Sequence, residues 1–165
     1  MDTRELLVES FGRLPGLVHG AVKGLTVETL STPPAPGGNT IGWLVWHLTR
    51  VQDDHVAEVA GTEQVWTTSW ARTFGLPFDD EATGYGQSAD DVLAVRVGPE
   101  LLTGYFDAVH AATQEFLKTL TDEGLDTVVD DNWDPPVTLG VRLVSVLSDD
   151  LQHAGQANYV RGLLT

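Results

Sequence analysis

Apolar residues recur at spacings of three and four in four stretches of the sequence, and nearly forty residues separate the second stretch from the third. This periodicity predicts four amphipathic helices, over about 3–23, 39–60, 99–120 and 138–163. The intervening segment 62–98 is too long for a direct link, and its scattered aromatic residues favour a packed crossing over a disordered linker. One long crossover between helices two and three, with two short links, predicts an all-α four-helix bundle.

Local signals set the expected helix ends. Asn39 and Thr40 are both good N-caps for the second helix, and Gly61 is suited to end it. Pro99 favours a helix start, whereas Pro15 lies inside the first stretch and predicts a kink or break there. A chain of 165 residues can bury a real core, so residues 1–165 are expected to form a single domain.

The charge balance disfavours several classes of partner. The chain has 9 Lys and Arg against 24 Asp and Glu, a formal net charge of −15. Such a chain repels phosphate backbones and anionic lipid surfaces, so binding to nucleic acid or to a membrane is not expected.

The first residues lack the layout of a signal peptide and no apolar run could span a bilayer, so the cytoplasm is the expected location.

The sequence contains no cysteine. Disulfide bonds, a thiolate nucleophile from the chain and Cys-ligated zinc are therefore excluded. If the protein carries out thiol chemistry, the sulfur must arrive on a cofactor or a substrate.

Two histidines and a carboxylate have the spacing of a metal site. Asp149 and His153 are one helical turn apart, as are Asp150 and His153, and spacing alone does not choose between the two carboxylates. His47 lies on the apolar line of the second predicted helix and could supply a third ligand across the core. Three ligands leave at least one position open, as in a catalytic metal site. The alternative is a hydrogen-bonded core histidine and a solvated acidic pair.

The segment Asn-Thr-Ile-Gly-Trp-Leu-Val-Trp-His-Leu at 39–48, together with Asp-x-x-x-His-Ala-Gly-Gln at 149–156, resembles the DinB/YfiT-like superfamily of metal-binding four-helix bundles. The resemblance extends over nearly the whole chain. It implies that His47, Asp149 and His153 are the metal ligands. Family members usually have a histidine where this chain has Asp149. This chain resembles the branch of mycothiol-dependent maleylpyruvate isomerases in having a carboxylate at that position, because that branch has the pattern Glu-x-x-x-His.

The resemblance also implies an activity. A divalent metal, zinc or alternatively nickel or iron, would activate a low-molecular-weight thiol such as mycothiol for S-transfer or isomerisation on a small electrophile. A coordinated thiol is deprotonated by the ion, which yields a nucleophile at neutral pH. Maleylpyruvate itself is not expected as the substrate, because the isomerase carries a second domain with no counterpart here. The expected partners are the small substrate, the thiol and, as in similar proteins, a second copy of the chain.

Three other functions remain open from the sequence. Metal-activated water would make the protein a hydrolase. The same ligands could form a facial triad for non-haem iron, with oxygen chemistry. A non-catalytic metal-binding stress-response bundle is the third alternative.

Four further side chains have two interpretations each. Arg50 and Arg142 could bind an anionic substrate or form salt bridges with nearby acids. Gln156 could orient His153 or belong to a polar stripe. His110 suits an exposed polar face, with a supporting role at the metal site as the alternative.

Overall fold

Four long helical segments pack side by side around one apolar core, and the first of them is split in two. The computed structural model describes residues 1–165. Its elements are, in order, α1 (Thr3–Phe11), α2 (Leu14–Val22), α3 (Val27–Leu30), α4 (Ile41–Ala60), a π-helical turn (Trp66–Trp70), α5 (Ala71–Phe74), α6 (Ala89–Ala94), α7 (Pro99–Leu117), α8 (Asp122–Leu125), β1 (Val128–Asp130), β2 (Val137–Thr138) and α9 (Leu139–Leu164). The predicted all-α bundle with a long crossover is confirmed.

Helix α4 starts at one of its two candidate N-caps, Thr40, and ends at the predicted glycine. The Thr40 side chain accepts a hydrogen bond from the backbone N–H of Trp43, and Gly61 ends the helix with a left-handed φ of 66°. The first stretch breaks between α1 and α2, and Pro15 lies in the first turn of α2, where a missing N–H costs nothing. Helix α7 ends at Leu117, earlier than predicted, because the chain tightens there into i→i−3 hydrogen bonds.

α4 is central to the bundle, because it packs against α9, α7 and α2. Asp53, in the second half of α4, contacts Tyr105 in the first half of α7, and Ala60 at the end of α4 lines a cleft with Thr119 just past the end of α7. The two helices therefore run in the same direction, as a long crossover requires. None of the helices combines the length and the hydrophobicity that crossing a membrane requires.

Arg50 fastens the crossover to α4. Its side chain is fully buried and donates to the carbonyl oxygens of Ala82 (3.1 Å) and Asp80 (3.2 Å) and to Gln64 Oε1 (2.8 Å). The guanidinium also lies 4.9 Å from the centre of the Trp66 ring. Of the two interpretations of this residue, the substrate-binding one is wrong, because all of these contacts are structural.

Asp53 forms a second anchor for the crossover. Its carboxylate accepts hydrogen bonds from the backbone N–H groups of Val65 and Trp66 and from the Tyr105 hydroxyl, all at 2.8–2.9 Å. Burial nevertheless raises the pKa of Asp53 above its usual value. Two buried charged side chains of α4 thus hold the segment that the sequence predicts to cross the bundle.

A short antiparallel hairpin precedes α9 and was not expected from the sequence. Strand β1 pairs with β2, and Thr138 both ends β2 and caps α9. Arg142 of α9 donates to Asp130 of β1 (3.2 Å) and to Glu58 of α4 (2.6 Å). Arg142 therefore joins the hairpin to the bundle. This supports the salt-bridge interpretation of Arg142, although the acids it pairs with are not the ones nearest to it in the sequence.

Candidate metal centre

His47 is held in one orientation by the crossover. Only 6% of its surface is exposed, and its Nδ1 lies 2.6 Å from the carbonyl oxygen of Thr83. Because a carbonyl oxygen only accepts hydrogen bonds, Nδ1 carries the proton and the lone pair is on Nε2. The ring also stacks on Trp43, with centroids 4.6 Å apart. Burial lowers the pKa of His47, which favours the neutral imidazole that a metal needs.

Gly84 explains how a backbone segment comes so close to this ring. Its φ is 99°, and a Cβ there would lie 2.6 Å from His47 Nδ1 and 3.1 Å from the Trp46 ring. A side chain at this position would therefore displace the segment from the histidine. Gln87, three residues after Gly84, accepts a hydrogen bond from Trp43 Nε1 (2.7 Å). This contact also fixes the Trp43 indole that stacks on His47.

His153 and Asp149 face His47 from α9. The two residues are one turn apart, with His153 Nε2 3.4 Å from Asp149 Oδ1. On the other side of the ring, His153 Nδ1 donates to Gln156 Oε1 at 2.9 Å, so Nε2 is the nitrogen that faces the carboxylate and His47. In the metal-free chain a protonated Nε2 donates to Asp149, and this hydrogen bond raises the pKa of His153 above the usual value for histidine.

The three side chains converge. One ligand atom from each of His47, Asp149 and His153 lies within 4.8 Å of the other two, and the imidazole centroids are 4.8 Å apart. Asp149 Oδ2 is buried without a hydrogen-bond partner, an arrangement that costs free energy unless a cation or water satisfies the oxygen. Two imidazole nitrogens and a carboxylate oxygen are donors that suit a divalent transition metal.

The family follows from comparison with known proteins. Residues 11–157 match the model of the DinB superfamily. The chain belongs to the DinB superfamily. Members of the DinB superfamily often bind a metal. A crystal structure of a conserved protein from Enterococcus faecalis is 32% identical in sequence, covers 99% of this chain and 98% of its own, and superimposes with a TM-score of 0.92. No curated protein matches the chain.

The DinB fold also distinguishes the two candidate carboxylates. Asp149 belongs to the convergent group, whereas Asp150 is one position further around α9 and is completely buried. Neither oxygen of Asp150 has a hydrogen-bond partner, and burial raises its pKa well above the usual value for aspartate. The special closeness to the mycothiol-dependent branch stays a prediction.

Gln156 and His110 were the two remaining side chains with alternative interpretations. Gln156 orients His153, which was one of its two interpretations. The expectation of an exposed face for His110 is wrong, because its ring is partly buried against Phe106 at 5.6 Å and its buried Nδ1 has no hydrogen-bond partner. Sequence reasoning missed Thr83 and Gly84; the paired glycines at 84 and 86 were the only available signal.

Proposed function

We propose that this DinB-superfamily chain is a divalent-metal-dependent enzyme that activates a low-molecular-weight thiol of the mycothiol type. The activated thiol would take part in S-transfer to, or isomerisation of, a small electrophile. The observation that supports this proposal is the approach of ligand atoms from His47, Asp149 and His153 to within 4.8 Å of one another. Zinc is the metal that this donor set suits best, with nickel or iron as alternatives.

The chain's own residues would contribute orientation and charge. The Thr83 carbonyl and the Gln156 amide hold the two imidazoles with Nε2 toward Asp149. Two neutral histidines and one carboxylate supply a single negative charge, so a divalent ion would keep a net positive charge that favours an anionic partner. When bound, the metal would lower the pKa of a thiol and so supply a thiolate at neutral pH.

The thiol would come from outside the chain, because the sequence contains no cysteine. The cytoplasm, where thiols are kept reduced, is the compartment that fits this chemistry. We further propose that residues 1–165 work as a single domain and that the protein is a homodimer, which light scattering would test.

Metal binding is tested first, with a matched pair of histidine variants. Elemental analysis of the purified chain should find stoichiometric metal in the wild type and in His55→Ala, because His55 contacts Arg142 away from the centre. The His153→Ala variant should lose the metal, while circular dichroism shows it folded. Stoichiometric metal in folded His153→Ala, or none in the wild type, would contradict the proposed site.

Activity is tested with a panel of thiols, including mycothiol and bacillithiol, and electrophiles such as chlorodinitrobenzene. We expect thiol consumption that requires the metal and is lost in Asp149→Asn. Metal-dependent conversion of an electrophile without any thiol would instead identify a hydrolase. Stoichiometric metal without either reaction would favour the non-catalytic metal-binding bundle.

A further inference from the structure

A second concave site lies between the C-terminal halves of α4 and α7, on a part of the bundle that the metal centre does not use. Its volume is about 570 Å³, and none of the three convergent ligands lines it. Val56, which lines it, follows His47 by nine residues, a distance of about 13 Å along the helix axis. The cleft is therefore a separate site.

Small apolar side chains make the cleft. Buried Val56 and Val109 form its floor, and Ala60 and Ala112 line it from α4 and α7. Because alanine side chains are small, they leave space between the two helices at this point, and Phe116 forms an aromatic wall of the cleft. A cavity of this size with an apolar lining is typical of sites for small organic ligands, which occupy roughly 300–1,000 Å³.

The polar part of the lining is acidic. Glu63 and Glu115 contribute exposed carboxylates, whereas the Asp53 carboxylate is taken up by its buried contacts; no lysine, arginine or histidine lines the cleft. Glu115 pairs with Lys118 at 2.6 Å, but both side chains are largely exposed and such a pair is weak. In a chain of net charge −15, the cleft therefore lies in a negative potential that attracts cations and repels anions.

We propose that this cleft binds a small amphiphilic amine. The hydrocarbon part would lie on the apolar floor, and the ammonium group would lie among the carboxylates at the rim, near Glu63 and Glu115. An amphiphile with a carboxylate head of the same length would be repelled by the same groups.

The test compares n-octylammonium, octanol and octanoate as probes of the full-length chain. Titrations followed by ¹H–¹⁵N NMR should show saturable shifts for octylammonium, confined to α4 after Asp53, the segment 61–66 and the second half of α7. At ten times its dissociation constant, the amine should also raise the melting temperature by about 3–5 °C. Octanol should bind at least tenfold more weakly, and octanoate should not bind.

Two tryptophan variants locate the binding. Ala112→Trp fills the cleft and should weaken octylammonium binding at least tenfold, whereas Ala111→Trp, an exposed neighbour outside the lining, should leave it unchanged. If Ala112→Trp does not fold, Ala60→Leu fills the cleft from α4. Glu63→Gln combined with Glu115→Gln should reduce the preference for the amine over octanol.

Three results would overturn the proposal. The first is octylammonium binding that does not saturate or that is the same in Ala112→Trp and Ala60→Leu as in the wild type. The second is binding of octanoate as tight as that of octylammonium. The third is a dimer in solution that Ala112→Trp dissociates, which would make this face an interface between copies of the chain.

Discussion

The Gly84→Ala substitution is the sharpest test of how the crossover positions the candidate ligand His47, and Gly86→Ala is its matched control. Both glycines have a positive φ, 99° and 72°, but a Cβ would meet His47 at 2.6 Å at position 84 and nothing within 4 Å at position 86. Backbone strain alone costs about 1–2 kcal/mol. Gly86→Ala should therefore lower the melting temperature by roughly 3–6 °C.

Gly84→Ala adds a second cost. The segment must move away from the imidazole, which breaks the hydrogen bond from His47 Nδ1 to the Thr83 carbonyl and leaves a buried donor unpaired, a cost of about 1–3 kcal/mol. The total is about 2–5 kcal/mol, or a fall of roughly 6–15 °C in melting temperature. Since the tautomer and orientation of His47 are lost, metal affinity should also fall about 10–100-fold.

Calorimetry and competition with a chromophoric zinc chelator measure the two effects. The control variant Gly86→Ala should lose stability but keep wild-type zinc affinity. Equal zinc affinities for Gly84→Ala and Gly86→Ala would refute the claim that the backbone at Thr83 positions His47.

Three other substitutions test separate parts of the structure. Arg50→Met should lower the free energy of unfolding by about 3–5 kcal/mol, because it leaves the buried Asp53 carboxylate without its cation at 3.8 Å; a loss below about 1 kcal/mol in urea denaturation would contradict this role. Gln156→Ala should weaken zinc binding roughly tenfold with little change in stability. Unchanged affinity in chelator competition would show that the hydrogen bond between Gln156 and His153 does not contribute to zinc binding. Burial lowers the pKa of His110, so the unfolded chain takes up this proton at a higher pH than the folded chain does. Relative to His110→Gln, the metal-free wild type should therefore lose stability as pH falls below about 6.5, since the other titrating groups are the same in both chains; parallel urea-denaturation profiles from pH 7 to 5 would argue against this.

Much of the bundle could be predicted because its signals are local. Thr40 and Gly61 mark the ends of α4 through the hydrogen bonds and the φ that helix ends require. The hairpin before α9 could not be predicted in the same way, because strands of two and three residues carry no periodicity and this pair is fastened by a distant contact of Arg142 with Asp130.

In the candidate metal centre, too, the local spacing could be predicted from the sequence, whereas the contacts between distant residues could not. An i,i+4 spacing was enough to bring Asp149 and His153 together, but only the rotation of α9 in the bundle separates Asp149 from the buried Asp150. The contact of His47 with Thr83 could not be foreseen, since the acceptor is a backbone carbonyl that any residue provides. The function of Arg50 was undecided for a related reason: its acceptors lie about thirty residues away along the chain.

The crossover touches His47 with its backbone, so occupancy of the centre and order in this distant stretch of chain are thermodynamically linked. A cation held by the two imidazoles and the carboxylate would oppose opening of the residues around Thr83, and local unfolding of these residues would in turn release the cation. Sequence changes in the loop could thus tune retention of the ion without altering any ligand.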